Sequence, residues 1–358
     1  MKLNDRSLAV DPPAPVLQLR DACGAEWPNI TASRERSAAK LKALRVHLTA
    51  AVPQDTTLVV FGSLARNEFT AGSDVDWTLL VDGAANPEHW DTTQRIRAKL
   101  GSLGINPPTA GGAFGSLTFS HDLIHKIGGD DDTNQNTTQR LLLLLESACI
   151  GPARAYEHVV ESILTRYIEE DLLSPNDTPF RVPRFLLNDF ARYWRTMAVD
   201  FAHKRRVRQA DKWALRTTKL RLSRKLLYSA GLLSCYLCGE QFPGARRTSP
   251  YHDARQVTQY LAQLVGATPL DIVAQVVLDS FGETSVAGRA IFDTYDEFLG
   301  VMNDAGKRET LKRLRPEEAD SNAVYQEARQ LGTRFHDALT RLFFEVPLRE
   351  FTIRYGVF

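Results

Sequence analysis

Residues 58–83 read LVVFGSLARNEFTAGSDVDWTLLVDG. The apolar run Leu58-Val59-Val60-Phe61 predicts a short buried strand. Gly62-Ser63 follows, where such a strand would hand over to the start of a helix. After a gap of ten residues comes Asp74-Val75-Asp76, and Trp77 to Val81 form a second strand-like run. Side chains alternate along a strand, so Asp74 and Asp76 are expected on one face with Cα atoms ~7 Å apart. Two adjacent carboxylates repel unless something neutralises them. A divalent cation does so, and Mg²⁺ is typically held by one or two carboxylates together with substrate phosphates.

The arrangement Phe61-Gly62-Ser63, ten residues, then Asp74-Val75-Asp76-Trp77 resembles the signature of the DNA polymerase β-type nucleotidyltransferase superfamily. Arg66, Glu68, Thr70 and Ser73 within the gap are similar to the version in bacterial minimal nucleotidyltransferases and signal-protein uridylyltransferases. Gly-Ser or Asp-x-Asp alone is a weak signal; their combination between two strand-like runs is specific. The resemblance spans about residues 55–147. It implies transfer of a nucleoside monophosphate from a triphosphate, with Mg²⁺ or Mn²⁺, two ions being expected. It also implies a third carboxylate on a later strand, facing the first two.

Composition sets the frame for the rest. With 358 residues, two domains are expected. A hydrophobic fraction of 43% and a charged fraction of 24% suit a globular protein. No apolar run approaches the ~18 residues that cross a membrane, and Leu141 to Leu145 is stopped by Glu146. The opening MKLNDRSLAVDPPAP lacks the apolar core of a signal peptide, so a cytoplasmic location is expected. Cys23, Cys149, Cys235 and Cys238 make no disulfide framework at this length, and Cys235-Tyr-Leu-Cys238 reads as ordinary apolar helix. Net charge is +1, yet residues 181–231 hold fourteen Lys/Arg against three Asp. Such asymmetry points to a phosphate-bearing partner, and a solvated helix surface is the plainer alternative.

In chain order, residues 1–30 read as a tail or strap, and Thr31 to Ala51 as a helix with Leu41, Leu44 and Leu48 on one side. Asn86 to Leu103 predicts a helix beginning near Pro87. Residues 104–116 are rich in Gly and Pro and read as a loop. Leu117 to Ile124 alternates and predicts a third strand, on which Asp122 has the parity and chain position of the implied third carboxylate. Asp130, Asp131 and Asp132 are alternatives, although Gly128-Gly129 makes them a turn. Thr133 to Cys149 reads as a buried helix. Further helices are expected near 154–173, 185–208, 212–240, 251–265, 270–279, 286–303 and 316–345, with breaks at Pro175, Pro179, Pro183, Pro243, Pro250 and Gly266. Phe351 to Phe358 alternates loosely and suggests a late strand.

Nucleotidyl transfer asks for positioning and charge neutralisation rather than covalent catalysis. Asp74, Asp76 and Asp122 are therefore the candidate metal and catalytic residues. Gly62 admits close backbone approach to a triphosphate, and Ser63 at a helix start could donate to it. Arg66 could pair with phosphate, or with Glu68 or Asp74. On the helix after Lys212, an apolar arc of leucines encloses Lys212, Arg216, Lys219 and Ser223, while Arg221, Arg224 and Lys225 fall outside it. Lys219 and Ser223 are four apart and so adjacent. They resemble the Lys and Ser that a helical domain supplies to the triphosphate in related enzymes. Salt bridges to Asp189 or Asp200, or snorkelling, are the alternatives. Tyr193, Trp194, Trp213 and Tyr228 read as core, as do His121 and His125 as structural histidines.

The expected protein is α+β, with a small mixed-sheet nucleotidyltransferase domain over 31–150 and a mostly helical domain over 151–358. A nucleoside triphosphate, ATP among the candidates, is the expected donor. RNA, specifically tRNA, is the favoured acceptor, with no membrane partner. The alternatives are protein nucleotidylation (AMPylation or uridylylation), oligonucleotide second-messenger synthesis, and an inactive nucleotide- or RNA-binding module.

Overall fold

The computed structural model describes residues 13–106, 116–172, 182–207, 212–239, 254–282, 285–345 and 347–357. The chain opens with two helices, α1 (Pro15–Ala22) and α2 (Pro28–Leu48), followed by β1 (Thr56–Phe61) and β2 (Asp76–Val81). Next come α3 (Pro87–Ser102), β3 (Leu117–Phe119), the short α4 (Ser120–Ile124), α5 (Asn134–Leu145) and β4 (Ser147–Ile150). The helical remainder comprises α6 (Arg154–Leu172), α7 (Arg184–Val207), α8 (Trp213–Lys219), α9 (Lys225–Tyr236), α10 (Ala254–Val265), α11 (Pro269–Ser280), α12 (Val286–Asn303), α13 (Ala305–Arg313) and α14 (Ala323–Phe344). The fold is thus α+β, a four-stranded mixed sheet accompanied by many helices.

The sheet order is β3-β2-β1-β4. β1 is antiparallel to β2 and β4, and β2 is parallel to β3. Every residue of β1 is buried because both sheet faces are covered. Leu58 and Val60 pack with Leu41, Leu44 and Leu48 of α2 and with Ile96 and Leu100 of α3. Val59 and Phe61 face the other way and join the large core of the helical remainder. The period-2 alternation of one strand thereby ties the sheet to both layers.

Several local expectations change. Residues 15–22, read as tail or strap, are helical, with Val16 and Leu19 fully buried and Val16 N–H donating to Asp271 Oδ1 at 3.3 Å. Helix α2 starts at Pro28 rather than Thr31, and its first turn is capped by a remote carboxylate. Ile30 N–H donates to Asp296 Oδ1 at 2.8 Å, and Asn29 Nδ2 to Asp296 Oδ2 at 2.9 Å. The third strand is only three residues long, so its second half, Ser120–Ile124, is helix. The helix expected to reach Cys149 stops at Leu145, and Ser147–Ile150 pairs with β1 as an edge strand. The described part of the stretch read as a late strand, residues 351–357, is helical turns. Helix α13, between α12 and the expected 316–345 helix, was not anticipated. Cys235 and Cys238 are fully buried in the helical core, as are Tyr193 and Trp213 to within a few per cent. No single described helix is long and apolar enough to cross a membrane. The expected breaks at Pro175, Pro179, Pro243 and Pro250, and most of the Gly/Pro loop, lie outside the described residues.

Candidate active site

The pairing of β1 with β2 places Phe61 opposite Asp76, so the Gly62-Ser63 turn leaves β1 beside the first residue of β2. Gly62 has φ +73°, and a Cβ there would lie 3.4 Å from Asp76 Oδ2. The left-handed backbone favours glycine here, while a Cβ would make only ordinary contact with the carboxylate. The expected helix after Ser63 reduces to one turn, closed by Arg66 N–H donating to Gly62 O at 3.0 Å. Asn67, with φ 59°, ends it in the left-handed region, as a helix C-terminus does. The chain then runs through a Thr70–Ser73 turn, in which Thr70 N–H donates to Ser73 Oγ at 3.1 Å, to Asp74 and Asp76.

Asp74 and Asp76 are both exposed, and both line a cleft of about 110 Å³. Gly62, Ser63, Arg66, Lys219, Ser223, Arg224 and Arg308 line the same cleft, so it draws on β1, β2 and the helices far along the chain. Neither aspartate makes an ion pair or hydrogen bond with a described residue. Burial of the surroundings, followed by repulsion from Glu146, raises the pKa of Asp76 above the usual carboxylate range.

Helix α8 passes into α9 through a π-helical turn, Leu220–Arg224. In a π turn the bonded partners are five apart rather than four. Lys219 and Arg224 therefore come onto one side, and Arg224, expected outside the apolar arc, faces the cleft with Lys219 and Ser223. Ser223 is buried and its hydroxyl donates to Lys219 O at 3.1 Å. Lys219 is reached by water inside the cleft. Desolvation, then the neighbouring cations Arg308, Arg224 and Arg66, pull its pKa down to about 8. Asp189, considered as its partner, instead meets Arg140 and Tyr167.

Two further carboxylates near the cleft are committed. Arg66 is buried, with Nε and Nη2 donating to Glu68 Oε2 at 3.0 and 2.8 Å and Nη1 donating to Glu146. Arg224 Nη1 donates to the other oxygen of Glu146 at 2.7 Å. Burial opposes the charge on Glu146, but Arg224 and Arg66 outweigh it and hold the carboxyl below its ordinary range. Arg66 is thus a structural cation, and its predicted phosphate role is not what the geometry presents. Glu146 joins the sheet region to the π turn, a role that the sequence signalled only as a charge ending a leucine run.

Asp122 is a correction. It lies in α4 and not on a strand, its side chain is half exposed, and it pairs with Lys126 Nζ at 2.7 Å. β3 pairs with the Val81 end of β2, whereas Asp76 is at the other end. Asp122 accordingly lines a separate groove with Asp82, His121 and His125. Asp132, an alternative third carboxylate, is buried in ion pairs with Arg140 and Arg192. Among the described residues, no group of three or more His, Cys, Asp or Glu side chains is arranged to hold a metal.

Residues 28–113 match the model of a family described as "Putative nucleotidyltransferase DUF294". The match supports assignment of this stretch to the nucleotidyltransferase superfamily. The matched stretch carries Gly62, Ser63, Asp74 and Asp76, and it stops before Glu146, Lys219, Ser223 and Arg308. No curated protein and no solved structure matches the chain. The cleft is therefore lined in part by the matched stretch and in part by residues of the helical remainder.

In charge, three carboxylates of the cleft and the adjoining Glu146 meet four cations. Glu68 and Glu146 are neutralised by Arg66 and Arg224. Asp74, Asp76, Lys219 and Arg308 are left without ion pairs among the described residues. Two uncommitted carboxylates fit a hard divalent cation completed by phosphate oxygens, and two uncommitted cations fit a polyphosphate.

Proposed function

We propose that this cleft transfers a nucleoside monophosphate from a metal-bound triphosphate to an acceptor hydroxyl. The observation that carries the reading is the pair of unpaired carboxylates, Asp74 and Asp76, facing the unpaired Lys219 across one cleft. The nucleotidyltransferase domain supports nucleotidyl transfer as the general chemistry.

Asp74 and Asp76 would hold Mg²⁺, which when bound supplies charge neutralisation at the reacting phosphate and lowers the pKa of the attacking hydroxyl. The chain's own residues do the rest. Gly62 lets the backbone approach the phosphates closely, and Ser63 offers a hydroxyl beside it. Lys219 neutralises charge that accumulates on the departing pyrophosphate, and the Ser223 hydroxyl lies one turn along from it. The enclosed space is well below the ~300–1,000 Å³ of sites that swallow a whole small molecule. It suits the polyphosphate, which leaves the base outside, and neither base nor sugar is selected by any residue named so far.

Binding should depend on pH through Lys219. An anionic ligand favours the ammonium, so triphosphate affinity falls as pH rises above about 8, and binding in that range takes up a proton. Titration calorimetry in buffers of different ionisation enthalpy measures the uptake. Lys219→Arg should flatten the dependence, and an unchanged pH profile in that variant would remove Lys219 from the site.

RNA is the acceptor class we propose, with tRNA as the first substrate to test. Support comes from the net positive stretch 181–231, on which Arg195, Lys212 and Arg221 are exposed, Lys219 is open to the cleft, and Arg192 and Arg224 are paired with carboxylates. Each α-³²P-labelled triphosphate is supplied in turn with total tRNA, with cell-extract protein, or alone. Label on RNA is the expected result. Label on protein would replace RNA with a protein acceptor, and label in a small product without acceptor would indicate oligonucleotide synthesis.

A further inference from the structure

Of the two cleft cations without an ion pair among the described residues, Arg308 is the buried one. It sits on α13, whose N-terminus is capped by Asp304 accepting from Lys307 N–H at 2.9 Å. The helix is fastened to α14 by Lys307 Nζ bonding Glu327 at 2.8 Å. Arg308 is 93% buried by its 7% exposure, yet it makes no ion pair with a described residue. Among the described residues its side chain makes one hydrogen bond, a long one from Nη1 to Thr70 Oγ1 at 3.4 Å. The Nε donor is buried and has no hydrogen-bond partner among the described residues. A buried charge in this condition is costly unless a counter-charge meets it, and an unsatisfied buried donor at a cleft calls for a ligand.

The approach to Arg308 is shaped for its guanidinium. Gly72 lies against it, so a Cβ at position 72 would stand 2.8 Å from Nε and 3.0 Å from Cζ. The absence of a side chain there leaves the channel through which Arg308 reaches the cleft wall beside Asp74. Asp74 is a carboxylate that acts on it electrostatically, without forming an ion pair. Once Asp74 serves a metal, the guanidinium is left facing phosphate oxygens. A planar guanidinium binds phosphate through paired N–H donors more selectively than an ammonium does.

We propose that Arg308 anchors the polyphosphate of the nucleoside triphosphate, making α13 the third element of the substrate site beside the Gly62-Ser63 turn and the π turn. This rests on the triphosphate reading of the cleft. It places a substrate residue almost two hundred positions beyond the matched nucleotidyltransferase segment.

The test is the dissociation constant of a non-hydrolysable Mg²⁺–triphosphate analogue and of the matching monophosphate, for wild type, Arg308→Gln, Arg308→Lys and Gly72→Ala. Arg308→Gln should weaken triphosphate binding roughly 10–100-fold, as loss of a charge-assisted phosphate contact does. Arg308→Lys should recover part of this, and Gly72→Ala should reproduce the loss by displacing an intact guanidinium. Monophosphate affinity should stay within about 2-fold in every variant, which a general structural defect would not allow. If wild type binds the analogue and the variants bind it equally well, Arg308 is no substrate residue although the cleft reading stands. If wild type binds no triphosphate, the cleft reading itself falls and takes the proposal with it. Should Arg308→Gln fail to fold, Gly72→Ala and Arg308→Lys decide the matter by the same measurement.

Discussion

Replacing Asp74 and Asp76 together with asparagine abolishes label transfer and leaves the protein folded. The loss should reach or exceed the roughly 10²–10³-fold seen when one electrostatic stabiliser is removed from an active site, because both metal-facing carboxylates go at once. The same substitution should not lower the melting temperature measured without metal. Neither aspartate holds a described partner, and burial together with Glu146 already disfavours the charge on Asp76. Removing that charge relieves repulsion, so a small rise in melting temperature is expected. Mg²⁺ should raise the melting temperature of the wild type and not of the variant. Full activity in the double variant, measured by label transfer, would show that the chemistry lies elsewhere.

Glu146→Ala has the largest expected effect on stability. It leaves two guanidiniums, Arg66 and Arg224, without their shared carboxylate, and Arg66 is buried. Breaking a buried pair by deleting one partner costs about 3–5 kcal/mol. At roughly 2–4 °C per kcal/mol for a domain of 150–250 residues, the melting temperature should fall by about 6–20 °C. Glu146→Gln, which keeps the shape and one acceptor, should lose less. The sign with pH follows from the lowered pKa of Glu146. Its contribution is intact above the ordinary glutamate range and is lost as pH falls through the lower folded value. Wild type should therefore lose stability steeply in acid, and Glu146→Ala should show a shallower acid limb in thermal melts. A melting temperature within a degree of wild type would mean that Arg66 and Arg224 find other partners.

How much of this was legible in the sequence depends on the range of the interaction. The β1–Gly62–β2 unit with Asp74 and Asp76 was readable because its signals are local, apolar runs of strand length and a glycine at the turn, although Asp74 precedes β2 and does not share its alternation. Lys219 and Ser223 were readable because charge inside an apolar helical arc is conspicuous. Arg224 was misplaced because the arc assumed an unbroken α-helix, and a π turn re-aims every residue after it. Asp122 was misplaced because alternation over Leu117 to Ile124 suited a strand, whereas pairing with β2 lasts only three residues before Ser120 begins a helix. β4 was hidden because Ser147–Ile150 continues an apolar helix pattern, and only its pairing with β1 makes it a strand. Arg308 was invisible since 305–313 is a polar helix with little periodicity, and nothing local reveals that its arginine meets Gly72.

The most direct test of the central claim compares α-³²P- with γ-³²P-labelled triphosphate in one reaction, with wild-type protein, Mg²⁺ and tRNA. Nucleotidyl transfer predicts label on the acceptor from the α position only, with the γ label released as pyrophosphate. Label on the acceptor from the γ position would mean phosphoryl transfer and would contradict the account.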